Sequence, residues 1–101
     1  MTITNELFKS TIETSEYFTM AESLILIKIL DQEYNNMSLI NPRDLRKELN
    51  LSHTSIYNAI NKLKAKGFIL KLSTHKNGYR VNRTKLEQLY KITQDLNILK
   101  T

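Results

Sequence analysis

The chain of 101 residues is long enough for one domain with a single modest core, and its lack of cysteine excludes disulfides and thiolate metal sites and favours an intracellular protein. Leu24–Leu30 is interrupted by Lys28 and is too short for a membrane span, and the acidic N-terminus does not resemble a secretion signal. Net charge is +5, and residues 43–83 carry ten basic and two acidic side chains, whereas residues 1–42 carry two basic and six acidic ones. Such a cationic segment is typical of a protein that binds a polyanion, although a lysine-rich solvated surface has the same composition.

The first third of the chain predicts two helices. Thr4 caps the first helix, which runs to about Tyr17 and carries an apolar stripe. The capping box Thr19–Glu22 starts the second helix at Met20, and this helix ends near Tyr34. Apolar residues cover most of its circumference, which predicts the central buried helix; they are Leu24, Ile25, Ile27, Ile29 and Leu30.

A short strand and two short helices are predicted next. Ser38–Ile40 is an apolar piece that we expect to edge a later hairpin. Asn41 is the N-cap of a helix over Pro42–Leu49, with proline at the first helical position. After a three-residue turn, another helix is capped by Ser52 and ended by Gly67. Two short helices joined in this way have the geometry of a helix-turn-helix motif.

The last third predicts a β-hairpin and a helix. Phe68–Leu72 and Tyr79–Val81 are strand-like, and Asn77-Gly78 between them suits a two-residue type I′ turn. Thr84–Glu87 has the pattern of a capping box that starts the last helix, whose apolar stripe runs to Leu99. This order predicts a mainly α fold with a small β-hairpin, in the α+β class, that is, a winged helix-turn-helix. The single domain, 1–101, would comprise an N-terminal helix (1–18), a winged-helix core (19–83) and a C-terminal helix (84–101).

The helix after the turn carries polar side chains opposite its apolar stripe. Asn can make a bidentate contact to adenine, Ser and Thr can bond a base or a phosphate, and Tyr can touch a thymine methyl. An ordinary amphipathic surface helix would also be polar on this side, but it would normally carry Glu, and residues 49–86 contain no acidic side chain. The residues expected in a DNA groove are Ser52, His53, Thr54, Ser55, Tyr57, Asn58, Asn61 and Lys62.

Cationic or potentially cationic side chains surround the predicted hairpin turn: Lys71, His75, Lys76 and Arg80. In a winged helix such a hairpin lies along the phosphates or enters the minor groove, where A·T tracts attract arginine. Lysines on an edge hairpin also protect against aggregation, which is the alternative reading. The residues expected to contact the DNA backbone are Arg43, Lys64, Lys76, Asn77, Arg80 and Arg83.

The segment Ser55–Ile69, with sequence SIYNAINKLKAKGFI, resembles the recognition helix and following strand of bacterial winged-helix regulators of the MarR-like and ArsR-like kinds. The small size and the two flanking helices are also similar to the winged-helix adaptors of tubulin-based plasmid or phage partition. The resemblance implies a dimer that binds DNA, and in the partition case an array of centromere repeats and a filament-forming partner protein. It also implies that Lys76 and Arg80 face phosphates and that the groove is faced by Thr54, Ser55, Asn58, Asn61 and Lys62.

A homodimer is predicted because both flanking helices carry apolar stripes that a small core cannot absorb. One recognition unit would bury only about 600–1,000 Å², whereas two units related by a two-fold axis reach half-sites one helical turn apart. The candidate interface residues are Leu86, Leu89, Tyr90 and Leu96.

Catalysis has little support in the sequence. His53 and His75 are 22 residues apart without any cysteine, and there is no glycine-rich phosphate loop, so neither an enzyme nor a metal or other cofactor is predicted. The sequence therefore predicts a cytoplasmic, nucleoid- or plasmid-associated dimer that binds A·T-rich double-stranded DNA as a repressor or partition protein, without membrane contact. A winged helix that serves only as a protein-interaction scaffold is the alternative.

Overall fold

The computed structural model describes residues 3–35 and 37–100, with side chains through residue 95, as five helices and one small sheet. The first two helices precede a short strand, a pair of helices and a hairpin, and a long helix follows. In chain order they are α1 (Asn5–Thr14), α2 (Met20–Asp31), β1 (Ser38–Leu39), α3 (Pro42–Leu49), α4 (His53–Ala65), β2 (Ile69–Lys71), β3 (Gly78–Val81) and α5 (Arg83–Lys100).

Helix α2 is the central helix, as the sequence predicted, and it contacts α1, α4 and the sheet. Its buried residues include Leu26, whereas Leu24 is 36% exposed, so the buried stripe lies slightly to one side of the predicted one. The core is completed by α1 through Phe8 and Ile12, and by the apolar side of α4. Burying these side chains supplies the main driving force for folding.

The pair α3 and α4 begins and ends as the sequence predicted. Asn41 caps α3 by accepting a hydrogen bond from the Arg43 amide at 2.9 Å, and Ser52 caps α4 by accepting one from the Ser55 amide at 3.1 Å. Asn50 ends α3 in the left-handed conformation, with φ of 54°, and turns the chain directly into α4. These local hydrogen bonds fix the residue at which each of the two helices begins.

Gly67 ends α4 in a Schellman motif. Its φ of 84° is a left-handed conformation that glycine adopts without steric cost. The Phe68 amide donates to the Leu63 carbonyl and the Gly67 amide to the Lys64 carbonyl, both at 3.0 Å. The reversal directs Phe68 into the core, where its ring lies 4.8 Å from that of Phe18.

The sheet has the strand order β1-β3-β2, and both pairings are antiparallel. Ser38–Leu39 pairs with β3, which confirms the predicted edge strand. The predicted two-residue turn at Asn77-Gly78 is wrong: the loop spans residues 72–77, and neither Asn77 nor Gly78 has a positive φ. The reason is tertiary, because the Asn77 carbonyl accepts from the Ile40 amide and Gly78 already belongs to β3.

Asn82, rather than the predicted Thr84, begins helix α5. The Asn82 side-chain oxygen accepts from the Lys85 amide at 3.2 Å, and its amide group donates to the Gly67 carbonyl at 2.9 Å. One side chain thus caps α5 and attaches it to the end of α4. Together the elements form a mainly helical winged helix-turn-helix with a small antiparallel sheet. In the part of the chain described here, no helix has the length and apolarity needed to cross a bilayer.

Candidate nucleic-acid interface

The polar side of α4 faces away from the core. Ile56, Ala59, Ile60 and Leu63 are buried on one side, so the helix can present a continuous polar surface on the other. Six predicted residues of the helix are exposed and Ser55 is half-buried, while the cap Ser52 is also exposed. The exposed six are His53, Thr54, Tyr57, Asn58, Asn61 and Lys62.

The polar side chains of α4 differ in how many hydrogen bonds they already make. The Ser52 hydroxyl accepts from the Ser55 amide and donates to the Ser55 hydroxyl at 2.9 Å, so both serines are engaged in capping. Thr54, Asn58 and Asn61 are spaced i, i+4, i+7 and therefore lie along one line of the helix. This line is the part of α4 best suited to reading base edges.

An open pocket of about 500 Å³ lies where the starts of α3 and α4 meet the hairpin loop. Its charged lining residues are Arg43 and Arg46 from α3 and Lys76 from the loop, and the rings of His53 and Tyr57 lie 4.5 Å apart on another side. Arg46 was missed in the sequence analysis. Its i,i+3 spacing from Arg43, which places both arginines on one side of a helix, is the signal that could have found it.

Several cations of the basic segment are engaged within the fold, among them Lys66, Lys71 and Arg83. Lys66 pairs with Glu22, whose side chain is almost fully buried, and also donates to the Tyr17 carbonyl. Lys71 donates to the Leu72 and His75 carbonyls and thereby braces the hairpin loop. Arg83 is engaged as well, by an ion pair with Glu33, and its predicted contact with the DNA backbone stays a prediction.

Arg83 lies at the start of α5, and its guanidinium donates to Glu33 at 2.7 Å and to Asn5 of α1 at 3.0 Å. The Glu33 carboxylate also accepts from the Val81 amide at 3.2 Å, so a single carboxylate joins α5 to the sheet. This arrangement neutralises the arginine beside α1. Arg83 is therefore a brace between elements.

The remaining cations of α3, α4 and the loop are exposed and make no ion pair among the side chains that the structure describes: Arg43, Arg46, Lys47, Lys62, Lys64 and Lys76. Arg80 has a different position from the predicted one, since it pairs with Leu70 in mid-strand, away from the loop tip. The surface around α4 thus keeps a positive charge that the acidic N-terminal segment does not neutralise.

Tyr79 is buried at the loop end of the hairpin, where it pairs with Lys71. Burial raises the pKa of Tyr79 above its usual value of 10.0, and the nearby Tyr57 of α4 raises it further. The Lys71 ammonium lies 5.3 Å from the centre of the Tyr79 ring. Strand β2 of the hairpin also packs against α4, so the hairpin and the helix belong to one surface.

A second open pocket, of about 660 Å³, lies between α1 and α5. Of the predicted dimer residues, Leu89 and Tyr90 line it, but Leu86 is fully buried in the chain's own core and cannot serve an interface. Leu96 lies outside the described side chains. Ile92, which was not predicted, is 56% exposed on the same pocket and extends its apolar lining.

The sequence matches the family described as the HTH domain over residues 26–80, which is more than half of the chain. The chain belongs to this helix-turn-helix family, whose members are DNA-binding modules, and its match covers α3, α4 and the hairpin. Comparison with curated proteins and with solved structures gave no match.

Proposed function

We propose that the protein binds double-stranded DNA sequence-specifically as a homodimer, with α4 in the major groove and the hairpin loop beside the backbone. The observation that carries the proposal is the exposed, acid-free side of α4, flanked on two elements by cations that form no ion pair with any described side chain. Thr54, Asn58 and Asn61 would contact base edges, and Lys62, Lys64 and Lys76 would contact phosphates. Few arginines face the groove, which favours A·T-rich sites over guanine contacts.

The dimer would use the pocket between α1 and α5. Leu89, Tyr90 and Ile92 offer apolar surface there, on the element that follows the hairpin. A two-fold dimer would present two α4 helices to half-sites about one helical turn apart, which doubles the contacts that one small domain can make.

The biological role would be transcriptional repression or DNA partition, in the cytoplasm on nucleoid or plasmid DNA. A repressor needs one operator near a promoter, whereas a partition adaptor needs an array of repeats and a filament-forming partner. Gel-shift and footprinting of the protein on the DNA upstream of its own coding region test the proposal. A single protected two-fold site supports repression and a ladder of regularly spaced sites supports partition, while the absence of any shift contradicts DNA binding.

A second candidate function, a protein-interaction scaffold, is favoured by the outer side of the sheet. Leu39 is 56% exposed and Leu70 is 49% exposed on that side, on the two strands that flank β3. A partner protein docked there would leave α4 free. Salt separates the two functions, because duplex binding through phosphates weakens steeply as salt rises.

A further inference from the structure

The pocket between α3, α4 and the hairpin loop combines three cations with hydrogen-bond donors. Arg43 and Arg46 come from α3 and Lys76 from a loop that is 30 residues further along the chain than Arg46. The lining residues include no acidic side chain, so nothing in the pocket neutralises these charges. Positive charge from separate elements around one concave space is suited to an oxyanion.

The shape of the pocket restricts the anion further. At about 500 Å³ it is larger than an isolated phosphate needs, and it is open on one side. The rings of His53 and Tyr57, whose centres are 4.5 Å apart, line one wall of the pocket. This wall offers an apolar surface to a sugar next to the anion. A phosphate ester with a sugar attached fits these features, whether it belongs to a nucleic-acid strand or to a free nucleotide.

We propose that this pocket is a phosphate-binding site that holds one phosphodiester of a DNA strand between Arg46 of α3 and Lys76 of the loop. The site rests on the proposed DNA binding and fixes how the duplex lies: one strand passes between the start of α3 and the loop tip, so that the start of α4 points into the groove. The DNA is favoured over a free nucleotide because the pocket opens beside the exposed start of α4, where His53 belongs to both surfaces.

Salt-dependent binding of the full chain to a random-sequence 20-base-pair duplex tests the site, since a phosphate contact does not depend on sequence. Arg46→Gln and Lys76→Gln should each weaken binding about five- to tenfold at low salt, and Lys91→Gln, an equal charge change on α5 outside the pocket, should weaken it far less. The double variant should lower the slope of log K against log salt by at most about 0.9, the value for one shared phosphate.

Three outcomes would overturn the site while leaving DNA binding intact. The first is a double variant whose slope of log K against log salt equals that of Lys91→Gln. The second is a double variant whose slope is shallower than that of wild type by about 1.8, which means that Arg46 and Lys76 contact two separate phosphates. The third is adenosine monophosphate that shifts the amide resonances of Arg46 and Lys76 without competing with the duplex, which assigns the pocket to a free nucleotide. A wild-type chain that binds no duplex even at low salt rejects the proposed function itself.

Discussion

At the scale of single residues, the amides of α4 are the strongest candidates for base contacts. Asn58→Ala and Asn61→Ala should reduce discrimination between cognate and random DNA more than they reduce total affinity, because each good base contact contributes about 1–3 kcal/mol. Gln88→Ala, an exposed amide on α5, is the matched control. Competition binding measures the ratio of the affinities for cognate and random DNA. Equal weakening on both duplexes would argue against base contacts by these side chains in the groove.

Tyr79 provides a residue-scale prediction on stability and pH. Its raised pKa means that, above about pH 10, the unfolded chain loses the phenol proton more readily than the folded one. The contribution of the protonated Tyr79 phenol to the unfolding free energy is therefore fully present below that pH and is lost as the pH rises further. Tyr79→Phe should flatten the decline of the unfolding free energy above about pH 10, as measured with urea.

Tyr34→Phe, on a tyrosine that is 78% exposed, is the control for this comparison. Its unfolding free energy should follow the wild-type decline with pH. If the Tyr79→Phe profile runs parallel to wild type instead, burial of the Tyr79 phenol does not contribute to alkaline unfolding.

At the scale of elements, Lys66, the C-cap residue of α4, should brace the fold, whereas Lys62 and Lys64 within α4 should serve the surface. Lys66→Ala leaves the nearly buried Glu22 carboxylate without its cation and should lower the unfolding free energy by about 2 kcal/mol. Lys64→Ala, on an exposed side chain, should change it by less than about 0.5 kcal/mol. Thermal and urea unfolding of both variants check this, and equal stabilities would contradict the bracing role.

Local signals explain which elements the sequence could predict. The caps at Asn41 and Ser52 and the left-handed Gly67 depend on neighbouring residues, so pattern reasoning located α3 and α4 correctly. The predicted hairpin turn was wrong because the Asn77 carbonyl accepts a hydrogen bond from the amide of Ile40, which directly follows β1 and is distant in the chain. The partner of Arg83 lies 50 residues earlier in the chain, and no spacing rule relates the two.

The same limit applies to the candidate site. Helical spacing was enough to place the polar side of α4 opposite the buried stripe of Ile56, Ile60 and Leu63. The pocket required α3 and the hairpin loop to meet in space, which depends on packing across the whole domain. The packing of α3 against the hairpin loop is what places Arg46 in the pocket.

At the scale of the whole molecule, the pocket between α1 and α5 should hold a dimer. Ile92→Glu should place an unpaired charge in an apolar seam, which costs several kcal/mol, and should convert the dimer to a monomer in sedimentation. Gln88→Glu adds the same charge on α5 outside the pocket and should remain dimeric. A monomeric wild type, or a dimer that both variants preserve, would place the interface elsewhere or remove it.

The central claim is that the cationic surface around α4 binds the DNA backbone, and the salt dependence of duplex binding tests it most directly. Fluorescence anisotropy of wild type with a labelled 20-base-pair duplex, from about 0.05 to 0.3 M salt, gives the slope of log K against log salt. With three to six phosphates neutralised, the slope should fall between about −3 and −5, and it should be shallower for Lys76→Ala than for Lys91→Ala. A duplex that does not bind at the lowest salt, or that binds equally well throughout the range, would contradict the account.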